Sequence, residues 1–168
     1  MPTNEQEQFI AAWQHETTST LKLLQALPVN QYDFRPDPTG RSLGELAWHL
    51  AEVDGFISTG VVERKFDFSQ KLPGLDRPRT IAELSTGYSR VHAEAVARIK
   101  ALAPADFDRM LPFMGRDMRA GDILWFVLLM HMVHHRGQLA LMCRLAGGVT
   151  PGMYGPNRED MAAMRASA

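Results

Sequence analysis

Cysteine is almost absent from this chain: among its 168 residues only Cys143 carries a thiol. An internal disulfide is therefore excluded. With no leader pattern in MPTNEQEQFI, a reducing cytoplasmic compartment is the expectation. An excess of either charge is lacking as well. Lys and Arg total 18 against 19 for Asp and Glu, the formal net charge is -1, and the pI is near 6.6. A nucleic-acid binder shows a basic patch and a high pI, so no nucleic-acid partner is expected. Long apolar runs are missing too. The longest, residues 123–130, is far short of the ~20 residues a membrane span needs, and it reads as a buried core helix. No GxSxG, GxGxxG, Walker loop or CxxC occurs, so serine hydrolase, dinucleotide and dithiol redox chemistry have no support.

What is present is ordinary globular material, 45% hydrophobic and 22% charged. The length suits one domain over residues 1–168 with enough buried surface to need no staple. Helical periodicity dominates. Phe9, Trp13, Thr17, Thr20, Leu24 and Leu27 recur at three- and four-residue steps, and Pro28 closes that helix. Ser42-Leu43-Gly44-Glu45 forms a capping box, in which the Ser hydroxyl serves an orphan amide and the Glu reaches back. The second helix that follows carries Leu43, Leu46, Ala47, Leu50 and Val53 as its apolar stripe, with Gly60 as its stop. Thr80-Ile81-Ala82-Glu83 repeats the box and opens a third helix running to about Leu102. A fourth runs from Gly121 or Asp122 to about Leu145, stopped by Gly147 and Gly148. The connections 61–79 and 103–120 read as irregular, no alternating run of strand length appears, and the last residues read as a short helix or as disordered. The fold class is all-α, a four-helix bundle with long connections. Such bundles host metal sites in their cores.

The chemistry-bearing residues are histidines. Of the 6 in the chain, His131, His134 and His135 fall within HMVHHRGQ. Each helical residue turns the wheel by about 100°, which puts His135 within about 40° of His131 and Gln138 within about 20°. Leu124, Leu128 and Met142 share that sector, so the pair faces inward. His134 lies to one side, and Arg136 points well away. His49 sits on or beside the apolar stripe of the second helix. Three neutral imidazoles converging between helices would hold a divalent cation and leave one position open. The alternative for each is a core or boundary histidine bonded to a carbonyl. His15 and His92, with no partner at ligand spacing, read as surface or helix-face residues. Glu45 and Glu52 flank His49; each is a fourth ligand, a general base, or more simply a capping partner and a solvated residue. His134, Arg136, Gln138 and Glu52 are candidates for orienting the ligands. Cys143 reads as a small buried hydrophobe, and Trp13, Trp48 and Trp125 as packing. Arg35 and Arg41 are candidate anion binders or solvated surface residues.

The combination HxxxHRGQ over residues 131–138, SLGELAWHL around His49, the RPDPTGRS lead-in and the trailing MYGP resembles the DinB/YfiT-like metalloprotein superfamily. The resemblance runs over most of the chain. It implies a four-helix bundle, often homodimeric, with His49, His131 and His135 as ligands of nickel or zinc. It also implies membership in a group containing thiol S-transferases, which use bacillithiol, mycothiol or glutathione, and metal-dependent hydrolases. The leading expectation is therefore a metal-dependent transfer of a low-molecular-weight thiol to a small electrophilic substrate. The thiol reading predicts an apolar pocket with basic residues at its mouth. The rivals are hydrolysis by a metal-activated water, favoured by a carboxylate pointing into the site, and a non-catalytic metal-binding stress-associated module, favoured by a closed coordination sphere.

Overall fold

The computed structural model describes residues 4–167. Helix α1 spans Glu5–Gln25, α2 Leu43–Glu63 and α3 Ile81–Lys100. Helix α4 is continuous but composite. It comprises Ala120–Asp122, a π-helical stretch Ile123–Leu129 and the α-helical Met130–Leu145. A short α5, Arg158–Ala166, follows the turn-rich tail. Helix α2 packs against α3 and α4, and α1 packs against α3. The mostly helical bundle agrees with the all-α expectation.

The capping chemistry sets where the helices begin. The Ser42 hydroxyl accepts from the Glu45 amide at 3.2 Å while the Ser42 amide donates to Glu45 Oε2 at 2.7 Å. Asn4 and Glu7 form an equivalent box at the start of α1. The box expected at Thr80 does not form: the Thr80 hydroxyl donates to Glu83 Oε2 at 2.6 Å and caps no backbone amide. Helix α2 also overruns Gly60 by three residues and ends at Arg64 in the left-handed region, φ 58°. Gly60 serves packing instead. A Cβ there would lie 2.3 Å from the Phe66 ring, and Phe66 in turn meets Phe113 edge-on at 4.9 Å.

The connection 103–120 is not irregular. A 3-10 turn, Pro104–Asp108, leads into an antiparallel hairpin of β1, Met110–Phe113, and β2, Arg116–Arg119. Phe113 pairs with Arg116 across a two-residue turn. Met114 and Gly115, at φ 48° and 83°, give both central residues the positive φ of a type I′ turn. Alternation is visible only as Leu111 and Phe113 pointing inward. Four residues are too few for a period-two signal to stand out from its surroundings.

The core fills from all four long helices. Phe9, Trp13, Leu50, Leu84, Ile99, Leu124 and Leu128 are fully buried, each such side chain contributing about 1.5–3 kcal/mol. Within this core lies a polar cluster. Asp54 Oδ1 accepts from Trp13 Nε1 at 3.1 Å, and its Oδ2 lies 2.8 Å from His92 Nδ1. The Tyr88 hydroxyl lies 3.3 Å from Thr17 Oγ1 and donates to Met132 Sδ at 3.4 Å. His92 is therefore no surface residue: it is buried between α1 and α2, with Trp13 edge-on at 4.8 Å. Its spacing along α3 showed no ligand partner because its partner is on another helix. Burial pushes the Asp54 carboxyl above the usual range, opposed by the His92 and Trp13 contacts. Removing the carboxylate strands two buried donors at once. Asp54→Ala is expected to lose about 2–4 kcal/mol in denaturant unfolding. His92→Ala is expected to lose a smaller amount, and the double variant less than the sum of the two. Strict additivity of the two losses would show that Asp54 and His92 do not act as a unit.

Candidate metal centre

Helix α2 brings His49 and helix α4 brings His131 and His135 to one place, all three partly buried. His49 Nε2 and His131 Nε2 are 3.4 Å apart. One nitrogen from each of the three rings lies within 4.8 Å of the others. The rings of His131 and His135, one turn apart on α4, are 4.4 Å apart by centroid, and His49 lies 4.8 Å from His135 and 5.6 Å from His131. The π-helical stretch ends just before this pair, a placement common at functional sites.

Two side chains hold the outer nitrogens. Glu52, one turn beyond His49, places Oε2 at 3.1 Å from His49 Nδ1. Its Oε1 accepts from Arg77 at 2.9 Å. Burial pushes the Glu52 carboxyl up, but His49 and Arg77 together hold it below its usual range. An ionised carboxylate can only accept, so Nδ1 of His49 carries the proton of this contact and donates it to Glu52. Gln138 Oε1 does the same for His135, at 2.7 Å from Nδ1. Both arrangements aim Nε2 inward, as in histidines oriented for a metal.

The other candidates fall elsewhere. His134 is exposed and touches the cluster only through the His135 ring, 5.1 Å away. Arg136 bonds none of the three histidines. Its buried guanidinium faces α1, donating to the Glu16 carbonyl at 2.7 Å and also to the Glu16 carboxylate and the Tyr154 hydroxyl. The wheel angle already pointed it away, so its role is to clamp the tail onto α1. Glu45 is committed to its cap and to Arg35 at 2.8 Å, which hold it down to about 2. Cys143 is buried, its thiol 3.7 Å from the Ala26 carbonyl. His15 is exposed.

Cavities lie on both sides of the cluster. The first, about 430 Å³, is bordered by His49, Glu52 and His131 and otherwise by Val53, Phe56, Ile57, Phe68, Phe113, Met114 and Val127. The second, about 420 Å³, is bordered by His135, Gln138, Asp37, Leu46, Leu141, Met142 and Leu145. Arg41 borders both. The wall supplied by Phe68, Phe113 and Met114 comes from the two connections in which the sequence showed no signature. Hairpin geometry is the signal that would have found it.

A helical bundle with three inward imidazoles between its second and fourth helices, each of two backed by a side-chain acceptor, defines the class of this protein. The chain belongs to the DinB family, whose model matches residues 1–166. It is similar to the uncharacterized protein YrdA of Bacillus subtilis, at 32% identity over 162 residues, covering 93% of this chain and 92% of that one. Among solved structures it resembles a DinB-like protein of Bacillus cereus, with a TM-score of 0.73 and 29% identity over 88% of this chain and 97% of the other. The DinB-like protein YjoA of Bacillus subtilis shares the fold at 20% identity and a TM-score of 0.71, covering 90% of this chain and 99% of that one. No helix among the described residues is long and apolar enough to cross a membrane.

Burial pushes the His135 imidazole down to about 4 from 6.5, aided by the neighbouring histidines and opposed by Gln138. Burial lowers His131 as well. The unfolded chain takes up these protons before the folded one does, so stability rises with pH across this window. Cation-free protein is therefore expected to lose stability as the pH falls from 6.5 through about 4. His135→Gln should flatten that dependence in urea titrations at several pH values. Equal slopes for wild type and variant would assign the acid sensitivity to other groups.

Proposed function

We propose that this chain holds a divalent cation, zinc or nickel, through His49, His131 and His135 and transfers a small thiol to an electrophilic substrate. The donor set fits a cation. Bond lengths of about 2.0–2.1 Å in a tetrahedron separate nitrogens by about 3.3 Å; His49 and His131 present theirs at 3.4 Å, while the three nitrogens together spread over up to 4.8 Å, so a bound cation would draw the set inward. When bound, the cation supplies a Lewis acid that favours the thiolate over the thiol.

One observation carries the choice of reaction: two cavities of similar volume border the histidine cluster, the first at His49 and His131 and the second at His135, with Arg41 common to both. A group transfer needs room for two reactants, whereas hydrolysis needs room for one and a water. The carboxylates that a hydrolytic base would require are both occupied, Glu52 by His49 and Arg77 and Glu45 by its cap and Arg35. Among the described residues the donor cluster contains three members, which leaves a position for a reactant and supports an enzyme over a closed structural site. The first cavity offers an apolar wall to the electrophile, and Glu52 and Gln138 keep His49 and His135 oriented. In the net reaction the thiol proton is lost and a sulfur–carbon bond forms. With a halide substrate the carbon–halogen bond breaks and halide and the proton leave to solvent; with an epoxide one carbon–oxygen bond breaks and the freed oxygen takes up the proton.

Elemental analysis is expected to find near one equivalent of zinc or nickel in the wild type and little in His49→Ala or His135→Ala, with helical content retained. Glu52→Gln, which keeps the shape but weakens the acceptor, is expected to lower cation affinity about 10–100-fold. Metal-loaded protein is then expected to conjugate at least one low-molecular-weight thiol to members of an electrophile panel. Turnover with none of them would sink the transferase reading, and absence of metal after reconstitution would sink the centre itself.

A further inference from the structure

The first cavity combines an apolar body with one uncommitted charge. Phe56, Phe68 and Phe113 form an aromatic wall, with the rings of Phe56 and Phe68 6.4 Å apart and those of Phe68 and Phe113 6.2 Å apart. Phe68 remains 53% exposed, so the wall is not closed by the protein itself. Uncovered aromatic surface with a few placed polar groups is the usual form of a small-molecule site.

The charges around this wall are mostly spent. Glu52 has one oxygen on His49 and the other on Arg77. Glu45 is paired with Arg35 at 2.8 Å and with Arg77 at 3.6 Å. Arg41 differs: among the described residues its guanidinium has no hydrogen bond or ion pair, and its charge is felt at His131. Asp37, on the wall of the second cavity, gives Oδ1 to the Thr39 amide and hydroxyl, both at 2.9 Å. An exposed arginine is ordinarily just solvated. This one stands at the edge of an apolar cavity that His49 and His131 also border, with no acid among the described residues paired to it.

We propose that the first cavity takes an apolar carboxylic acid, its aromatic or hydrocarbon body against Phe56 and Phe68 and its carboxylate on Arg41. A guanidinium meets a carboxylate through two parallel hydrogen bonds, which fixes orientation as well as affinity. The body of the acid then lies along the wall that carries His49 and His131. For the reacting end this assignment rests on the proposed transferase reading. For binding it rests on the cavity and Arg41 alone.

The test compares naphthylacetate with naphthylethanol, which match in ring size and differ in charge. Both are titrated by ligand fluorescence into the full chain near pH 8, where imidazoles are neutral, before and after chelator treatment, with metal content measured separately. The acid is expected to bind about three- to tenfold tighter than the alcohol in both states, the range being modest because Arg41 is exposed. Arg41→Gln should bring the acid down to the alcohol and leave the alcohol unchanged, Arg41→Lys should keep part of the preference, and Phe56→Ala should weaken both ligands. Equal affinities in the wild type, or a preference that survives Arg41→Gln, would overturn the proposal. So would a preference that disappears with the cation, since the carboxylate would then sit on the metal. A preference that depends on Arg41 in chelator-treated protein would uphold this inference whatever the separate metal analysis found, so the two readings can fail independently.

Discussion

The rotation of α2 about its own axis is what the site depends on, and Asp54 sets it. At about 100° per residue, Asp54 lies roughly 140° around the helix from His49. Its two oxygens are held by Trp13 of α1 and His92 of α3. With that face turned toward α1 and α3, the face bearing His49 turns toward α4. A buried carboxylate without these partners would be costly, so slippage of α2 by one residue is opposed by the polar cluster as well as by the displacement of Leu46, Leu50 and Val53 from the core. The polar core therefore gives an otherwise permissive apolar interface a single register.

Two of the three imidazoles, His49 and His135, are then ordered from outside. Glu52 is itself fixed by Arg77, from the connection that precedes α3, and Gln138 comes from the turn of α4 beyond His135. A histidine free to rotate would present either nitrogen. Here the acceptors at Nδ1 choose Nε2 for the interior. Burial reinforces the choice by disfavouring the charged imidazolium at His131 and His135. Neutral rings are what a cation requires, so the local electrostatics and the geometry favour the same state.

Much of the helical architecture was legible because its signals are local. The Ser42 box, the inward pairing of His131 with His135 and the start of α4 each depend on residues within one or two turns. The failures have equally specific causes. Thr80-Ile81-Ala82-Glu83 has the pattern of a capping box, but its hydroxyl found the Glu83 side chain instead of the backbone, and both choices satisfy the same sequence. Gly60 looked like a stop and is a seat for Phe66. His92 looked peripheral because its partner Asp54 lies 38 residues away. The hairpin was missed because two four-residue strands leave no sustained alternation. The wheel angle of Arg136 rightly pointed it away from the histidines, but its candidacy for orienting them fails, because its partners are Glu16 and Tyr154, which nothing local announces.

The sequence by itself determined the helices, their inward faces and the residue types capable of holding a cation, since periodicity, capping and imidazole chemistry act over neighbouring residues. Only the tertiary structure decided that His49 meets His131 across 82 residues. It also decided that Glu52 orients His49 when it could have faced solvent, and that a hairpin contributes Phe113 and Met114 to an apolar wall beside the cluster. Those outcomes depend on how whole faces pack and how buried polar groups find partners. Such free energies belong to pairs of distant segments and have no signature in either segment alone.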